Sequence, residues 1–179
     1  MYKRIKQVVK TAGYNFRMWK GNVRVLTVFL LAFILCFLLS DKIVDFAAEN
    51  GTSIQMVEAF IWSFGDSNSV LLSSLLLLLL YSDMPFVTSA TPFFLVREKR
   101  RVWVFGQIVY ITASTSLYLC FILLSTCVLC SKYSFPKNTW SRTAAVLAYS
   151  AEGKTLSMPV EIKTLEMSRP FQCMLQIFY

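Results

Sequence analysis

Hydrophobic residues along this chain are gathered into three long runs instead of being spaced along single helix faces. The runs cover about residues 23–40, 69–82 and 102–130. The third run has about 29 residues, which is enough for a helix to cross a bilayer. Apolar residues bunched in this way are typical of membrane spans. The pattern therefore predicts an all-α membrane protein with about three transmembrane helices, in a transmembrane domain over residues 25–130.

The segment before the first run, residues 1–24, predicts a basic helix lying on the membrane surface. Apolar residues recur in it at helical spacing: Ile5, Val8, Val9, Ala12 and Phe16. Its charges are all basic, and Trp19 stands where headgroups are expected. A signal peptide is the alternative, but this basic stretch is too long for one and no small-x-small cleavage site follows Leu39. We therefore predict an uncleaved first span.

The charges in the segments between the apolar runs predict how the protein is oriented in the membrane. Residues 41–68 carry five acids against Lys42 alone, with an Asn50-Gly51 pair that breaks a helical pattern and an amphipathic piece near Glu58–Phe64. Residues 83–101 contain Pro85 and a basic cluster from 97 to 101. Basic loops stay in the cytoplasm. The rule places the N-terminus and residues 83–101 inside, in a multi-pass protein of the cell membrane.

Residues 131–179 predict an extracytoplasmic tail of mixed charge. A helix is expected over Thr139–Ala151, with Ser141 as its cap, and Met158–Met167 fits either a strand or a short amphipathic piece. Phe171–Tyr179 is apolar but too short to span a bilayer. We expect a further span to begin here in a longer relative.

Composition and charge support the membrane interpretation. The chain has 179 residues, of which 56% are hydrophobic and 16% charged, and its net charge is +8. Because the basic residues flank the apolar runs, anionic lipid headgroups explain the charge better than nucleic acid does. No nucleic-acid-binding motif is present. The bilayer is the expected partner.

The sequence offers little for catalysis. It contains no histidine, no GxxxxGK[ST] phosphate loop and no GxGxxG motif. Cys127 and Cys130 form a CxxC, but nothing is present to complete a zinc site, so apolar packing is the simpler role. A disulfide between Cys130 and Cys173 depends on geometry that the sequence does not give. We expect no enzyme activity, cofactor or metal.

Two features of residues 83–101, between the second and third apolar runs, allow alternative interpretations. Asp83 fits either an ion-coupling or partner-contact site or a helix-end acid paired with Arg97 or Lys99. The basic cluster fits either a lipid anchor or a docking surface. In the third run, Gly106, Ala113, Ser114 and Ser116 are small residues that favour close helix contact.

Three segments resemble the permease subunits of bacterial ABC transporters, chiefly the exporter type of Gram-positive bacteria. They are Tyr81–Phe86, Phe93–Arg97 and Arg101–Ile111, and the likeness extends over Met1–Ala151. The resemblance implies six spans in a whole subunit, a second permease subunit and a separate cytoplasmic ATPase. With three runs, this chain corresponds to a half-length or truncated permease.

The resemblance also implies roles for residues. In the family, the loop after the second span docks on the ATPase, and here that loop is Pro85–Arg101. The docking residues implied are Asp83, Pro85, Arg97, Arg100 and Arg101. The pathway or helix packing would involve Gln107, Ser114 and Tyr118. The alternative function is a non-transporting membrane accessory, scaffold or immunity-type protein.

Overall fold

The computed structural model of the protein describes residues 2–82, 84, 100–149 and 162–178. Its helices are α1 (Tyr2–Arg17), α2 (Val23–Glu49), α3 (Glu58–Gly65), α4 (Ser67–Tyr81), α5 (Arg100–Cys130), α6 (Arg142–Tyr149), α7 (Ile162–Met167) and α8 (Pro170–Phe178). Two short strands, β1 (Ile54–Gln55) and β2 (Ser134–Phe135), pair in parallel, with Ile54 opposite Ser134. The described part of the chain is mostly helical, as the sequence predicts.

Two of the described helices are long and apolar enough to cross a membrane. They are α2 and α5, the latter together with the 3₁₀ turn that extends it to Tyr133. Their positions match the first and third predicted spans, and they indicate that the protein associates with a membrane. Helix α4 has 15 residues and rises about 22 Å, less than the ~30 Å of a bilayer core. It passes as a span only in combination with α3, from which it is bent by 89°.

The break between α3 and α4 is built around Asp66. Its backbone N–H closes α3 by donating to Trp62 O over 3.2 Å. Its carboxylate caps α4, accepting from the N–H and the hydroxyl of Ser69 at 2.9 and 2.6 Å. One residue thus ends one helix and begins the next, which explains a sharp turn with no intervening loop.

Helix α2 continues past Ser40, where the predicted span ends, to Glu49. The prediction of a loop from Asp41 is wrong because Ile43 and Ala47 are buried while Asp41, Lys42 and Asp45 are exposed, so this stretch is an amphipathic helix. The expected break at Asn50-Gly51 is confirmed. Gly51 has φ +59°, and Thr52 N–H reaches Ala47 O over 2.9 Å, a glycine-terminated C-cap.

The described residues form two compact units, and α2, α4 and α5 contribute residues to both. Unit 1 consists of residues 1–29 and 77–118, and unit 2 of residues 30–76 and 119–179. Unit 2 has a core of buried side chains from α2, β1, α3, α5 and α6. Its members are Ile43, Phe46, Ala47, Ile54, Ala59, Trp62, Cys130, Ala144 and Leu147.

Along each of the two long helices, a buried residue recurs at every fourth position. In α5 the buried row is Val102, Gly106, Tyr110, Ser114, Tyr118, Ile122, Thr126 and Cys130, and in α2 it includes Val28, Ala32, Cys36 and Ser40. Residues four apart share a helix face, and small ones let helices approach closely. The remaining faces expose large apolar side chains, such as Phe105, Leu117 and Leu124, as helices in contact with lipid do.

Candidate functional site

The docking residues implied by the resemblance are only partly described. Asp83, Pro85 and Arg97 lie outside the described residues. Arg100 and Arg101 are described, and both are exposed in the first turn of α5. The described part of unit 1 contains no aspartate or glutamate, and its lysines and arginines with described side chains are all exposed. They are Lys6, Lys10, Arg17, Lys20, Arg24, Arg100 and Arg101.

Arg100 and Arg101 are the first two described residues of α5 after the gap at 85–99, and both are exposed. The described first turn of this helix contains no acid beside them. Both guanidinium groups therefore face solvent without an acidic neighbour in the described first turn.

Helix α1 is held against α5 at Gly106. A Cβ placed on Gly106 would lie 2.8 Å from both Cβ and Cγ2 of Thr11, and 3.5 Å from the Val8 carbonyl oxygen. Only a residue without a side chain permits this approach. The small residues that the sequence suggested for close contact thus divide: Gly106 and Ser114 are buried, whereas Ala113 and Ser116 are exposed.

Two side-chain hydrogen bonds extend this contact with α5, one from α1 and one from the turn that follows α1. Asn15 donates from Nδ2 to Oε1 of Gln107 over 2.9 Å, and the indole N–H of Trp19 donates to the Tyr110 hydroxyl over 2.6 Å. The Phe16 ring meets the edge of Tyr110 at 5.0 Å between centroids. Polar bonds of this kind fix the rotation of one helix against another, which apolar contacts alone do not.

Each of the residues suggested for a pathway lies in a helix contact within unit 1. Gln107 accepts from Asn15. Ser114 is fully buried and lies 2.9 Å from the Tyr81 hydroxyl, which also lies 2.6 Å from Thr115 Oγ1. Tyr118 is buried with its ring 6.3 Å from that of Phe29. Their placement in this structure is that of packing residues.

Unit 2 contains a buried carboxyl that the sequence did not single out. Glu58, the first residue of α3, is 0% exposed. Its Oε1 accepts from Ser141 N at 2.7 Å, and its Oε2 accepts from Ser141 Oγ at 2.6 Å and Gln55 N at 3.1 Å. Ser141 Oγ in turn accepts from Ala144 N at 3.0 Å, which confirms the predicted cap of the helix after Trp140.

The charge of Glu58 is set by two opposing effects. Burial disfavours the ionised form, while the hydrogen bonds from Ser141 and Gln55 favour it. Burial is the larger effect and raises the pKa of Glu58 from 4.5 to about 7. Both protonation states are therefore populated near neutral pH.

Among the described residues, three buried side-chain atoms have no hydrogen-bond partner: Ser40 Oγ, Trp62 Nε1 and, in the residue whose N–H donates to Glu58, Gln55 Nε2. The Gln55 side chain accepts from Val57 N at 2.9 Å, and the Thr52 and Thr143 hydroxyls meet at 2.8 Å. Gln55 Nε2 is buried and has no hydrogen-bond partner among the described residues. A buried unsatisfied amide is costly, so this junction is not optimised for stability alone.

The cysteines provide no disulfide or metal site within the described residues. All five are free thiols, so the disulfide considered between Cys130 and Cys173 is absent. The Cys173 thiol lies 3.2 Å from Ser168 Oγ, and the Cys127 thiol lies 3.5 Å from Met56 O. No group of three or more histidine, cysteine or acidic residues is placed to hold a metal in the part of the chain that was searched.

The sequence contained a signal for Glu58 but not for its partner. A single acid between Val57 and Ala59 at the start of an apolar stretch is unusual and marks a position worth attention. Ser141 is 83 residues away in sequence, and no local pattern connects the two. Comparisons of the chain with protein-family models, curated proteins and solved structures find no match.

Proposed function

We propose that this chain is a membrane-spanning permease component of an ATP-driven exporter of the ABC type. In this proposal it is a multi-pass protein of the cell membrane with a cytoplasmic N-terminus, and its second span is the apolar run over residues 69–82. The segment 83–101 docks on a separate ATPase subunit, and a second permease subunit completes the transporter. The protein itself performs no chemistry.

The observation that carries the proposal is the pair of exposed arginines at the start of α5. Arg100 and Arg101 are the last two residues of the 83–101 segment, and both are exposed at the first described positions of α5. The same helix contacts α1 at Gly106 and contacts the turn after α1 through the Trp19–Tyr110 bond. A force applied at the arginines would therefore move α5 and α1 together, as coupling to an ATPase requires.

Copurification tests this function. The full chain, with an affinity tag, is extracted from membranes that also contain the ATPase with a phosphate loop encoded beside it. We expect the two to copurify and R100A/R101A to reduce the recovered ATPase at least tenfold, because each desolvated charge pair at an interface is worth about 2 kcal/mol or more. The matched control is K132A/K137A, which removes two exposed charges from unit 2.

The outcomes are distinct. Unchanged recovery of the ATPase with R100A/R101A would contradict docking through these arginines and leave lipid headgroups as their partner. Equal loss with K132A/K137A would show a general charge effect and would also contradict the proposal. If no ATPase with a phosphate loop is encoded beside this protein, the exporter assignment is contradicted.

A second candidate function is a non-transporting membrane accessory or scaffold. The observation that favours it is the placement of Ser114 and Tyr118, which are buried in helix contacts. A scaffold needs such packing and no pathway. It would stay bound to its partner proteins when ATP hydrolysis is blocked, and cells lacking it would retain export.

A further inference from the structure

The junction around Glu58 joins three separate parts of unit 2. Glu58 begins α3, Gln55 belongs to β1, and Ser141 precedes α6. The carboxyl accepts hydrogen bonds from both Gln55 and Ser141, and it is fully buried. An ionisable group in this position affects the attachment of all three elements at once.

The protonation state of Glu58 changes the hydrogen bonds available at the junction. As a carboxylate it accepts three: from Ser141 N, Ser141 Oγ and Gln55 N. As a carboxylic acid it carries an O–H that must donate. Ser141 Oγ, 2.6 Å from Oε2, is the nearest acceptor, so that bond reverses direction. Oε2 then holds the proton, and its contact with the Gln55 N–H weakens.

The groups that face Glu58 do not hold its carboxyl in a single protonation state. No charged side chain contributes to its ionisation within the described residues; burial and hydrogen bonds do so. From α5 the titratable neighbour is the Cys130 thiol. Arg142, next to Ser141, is exposed, and α8, which packs on α3 through Phe178 and Phe60, contains no acidic or basic residue among those described.

We propose that the Glu58 carboxyl is a proton-operated switch that tightens and loosens the attachment of β1 to α3 and α6. In the ionised state, β1 is held through the Gln55 N–H. When a proton from water binds Oε2, Ser141 remains attached through its N–H and the reversed hydroxyl bond, and β1 is released from the carboxyl. Loss of the proton to water restores the first state. The inference does not depend on the proposed transport function.

The buried side-chain amide of Gln55 supports a junction with two states. Its Nε2 is buried and has no hydrogen-bond partner among residues 2–82, 84, 100–149 and 162–178, and a buried amide of this kind needs an explanation. A second arrangement of β1, in which this amide finds an acceptor, would offset the loss of the Gln55 N–H bond. Such near-balanced alternatives are what a switch needs.

The experiment is a pH titration of the full chain in lipid nanodiscs with two readouts. Infrared difference spectra follow the carboxylic acid band, and hydrogen exchange follows the peptides that contain Gln55 and Ser141. We expect the wild type to lose an acid band with a midpoint near pH 7, and the Gln55 peptide to become more protected, relative to intrinsic exchange, as pH rises through it. E58Q should lack both changes.

Two further variants make the test specific. S141A removes a donor that favours the carboxylate, so its midpoint should move to higher pH. C130A removes the neighbouring thiol and should leave the midpoint in place. If E58Q fails to fold, the comparison of wild type with S141A decides, because both retain the carboxyl.

Three results would overturn the switch. The first is a Glu58 band that titrates near the ordinary value of 4.5. The second is protection of the Gln55 peptide that follows intrinsic exchange alone over the whole titration. The third is a midpoint that moves with C130A and not with S141A, which would show that the thiol, and not the hydrogen bonds from Ser141, sets the titration of the carboxyl.

Discussion

The Trp19 indole N–H donates to the hydroxyl of Tyr110 over 2.6 Å, joining the turn after α1 to α5 within unit 1. Tyr110 is fully buried, so the acceptor is shielded from water. A hydrogen bond in such a place is worth more than one at the surface, because loss of one partner leaves the other unsatisfied.

We expect Y110F to lower the free energy of unfolding by about 1–2 kcal/mol, since the ring remains and the acceptor for this bond is lost. W19F should cost a similar amount, and the double variant less than the sum of the two. Denaturation in mild detergent, followed by circular dichroism, measures all three. Strictly additive effects would show that the two side chains are not coupled.

Gly106 provides a second test of the contact between α1 and α5. G106A should destabilise unit 1 by about 1–3 kcal/mol, because its new Cβ would lie 2.8 Å from Thr11. The matched control is G13A in α1, where a Cβ meets nothing within 4 Å, and this change should be neutral or slightly stabilising. Combining G106A with T11G should recover part of the loss. Equal effects of G106A and G13A would contradict the tight contact.

Asp66 should be important for the start of α4. D66A removes the acceptor for Ser69 and should cost about 1 kcal/mol, whereas D66N, which also caps helices, should cost less. Hydrogen bonds from Ser69 hold the pKa of Asp66 below its usual value of 3.8. The stabilisation by the Asp66 carboxylate is therefore present above pH 3.8 and is lost as the pH falls through the lower pKa of the folded state. Thermal unfolding across acidic pH measures this, with N68A, at an exposed position, as control.

Global unfolding of unit 2 should cost more free energy in mild acid than in mild base because of Glu58, whereas the proposed switch concerns only the local attachment of β1. Its pKa is raised by burial from 4.5 to about 7, so the folded state binds the proton more tightly. The stabilisation is fully present below the unfolded-state pKa of 4.5 and is lost as the pH rises through about 7. The free energy of unfolding falls by about 3 kcal/mol over this range. Denaturation at several pH values measures it. A wild type and an E58Q variant with the same pH dependence would contradict the assignment.

The proposed orientation can be tested by cysteine labelling. Single cysteines at Lys20 and Lys137, both exposed, are introduced into a chain whose five native cysteines are replaced by alanine. A membrane-impermeant maleimide should label K137C in intact cells, and K20C only after permeabilisation, because the basic end stays inside. Labelling in the reverse order would invert the topology and remove the basis for docking at Arg100 and Arg101.

Local sequence patterns predicted the features that depend on neighbouring residues. The long apolar helices, the break at Asn50-Gly51 and the cap at Ser141 each follow from residues within one or two turns. The continuation of α2 from Ser40 to Glu49 is not predicted, because charges from Asp41 onward are also typical of a loop. An amphipathic helix can carry the same charged residues on its exposed face. The helical spacing of Ile43, Phe46 and Ala47, which are buried, is the signal that indicates such a helix.

The junction around Glu58 and the Trp19–Tyr110 bond could not be predicted from the sequence. The partners lie 83 and 91 residues apart, and pairing at that distance is decided by how the helices pack. The same limit applies to the close approach of Thr11 to Gly106: a lone glycine in an apolar helix has several explanations until its neighbour is known.

The buried row along α5, one residue in every four from Val102 to Cys130, determines which changes this helix tolerates. Because each residue turns the helix by about 100°, deleting one residue within the row would rotate every later side chain away from the direction of the earlier ones. Exchange of one exposed apolar residue for another, as at Leu117 or Leu124, leaves the row unchanged. A deletion within the row is therefore expected to be tolerated far less well than a substitution at an exposed position.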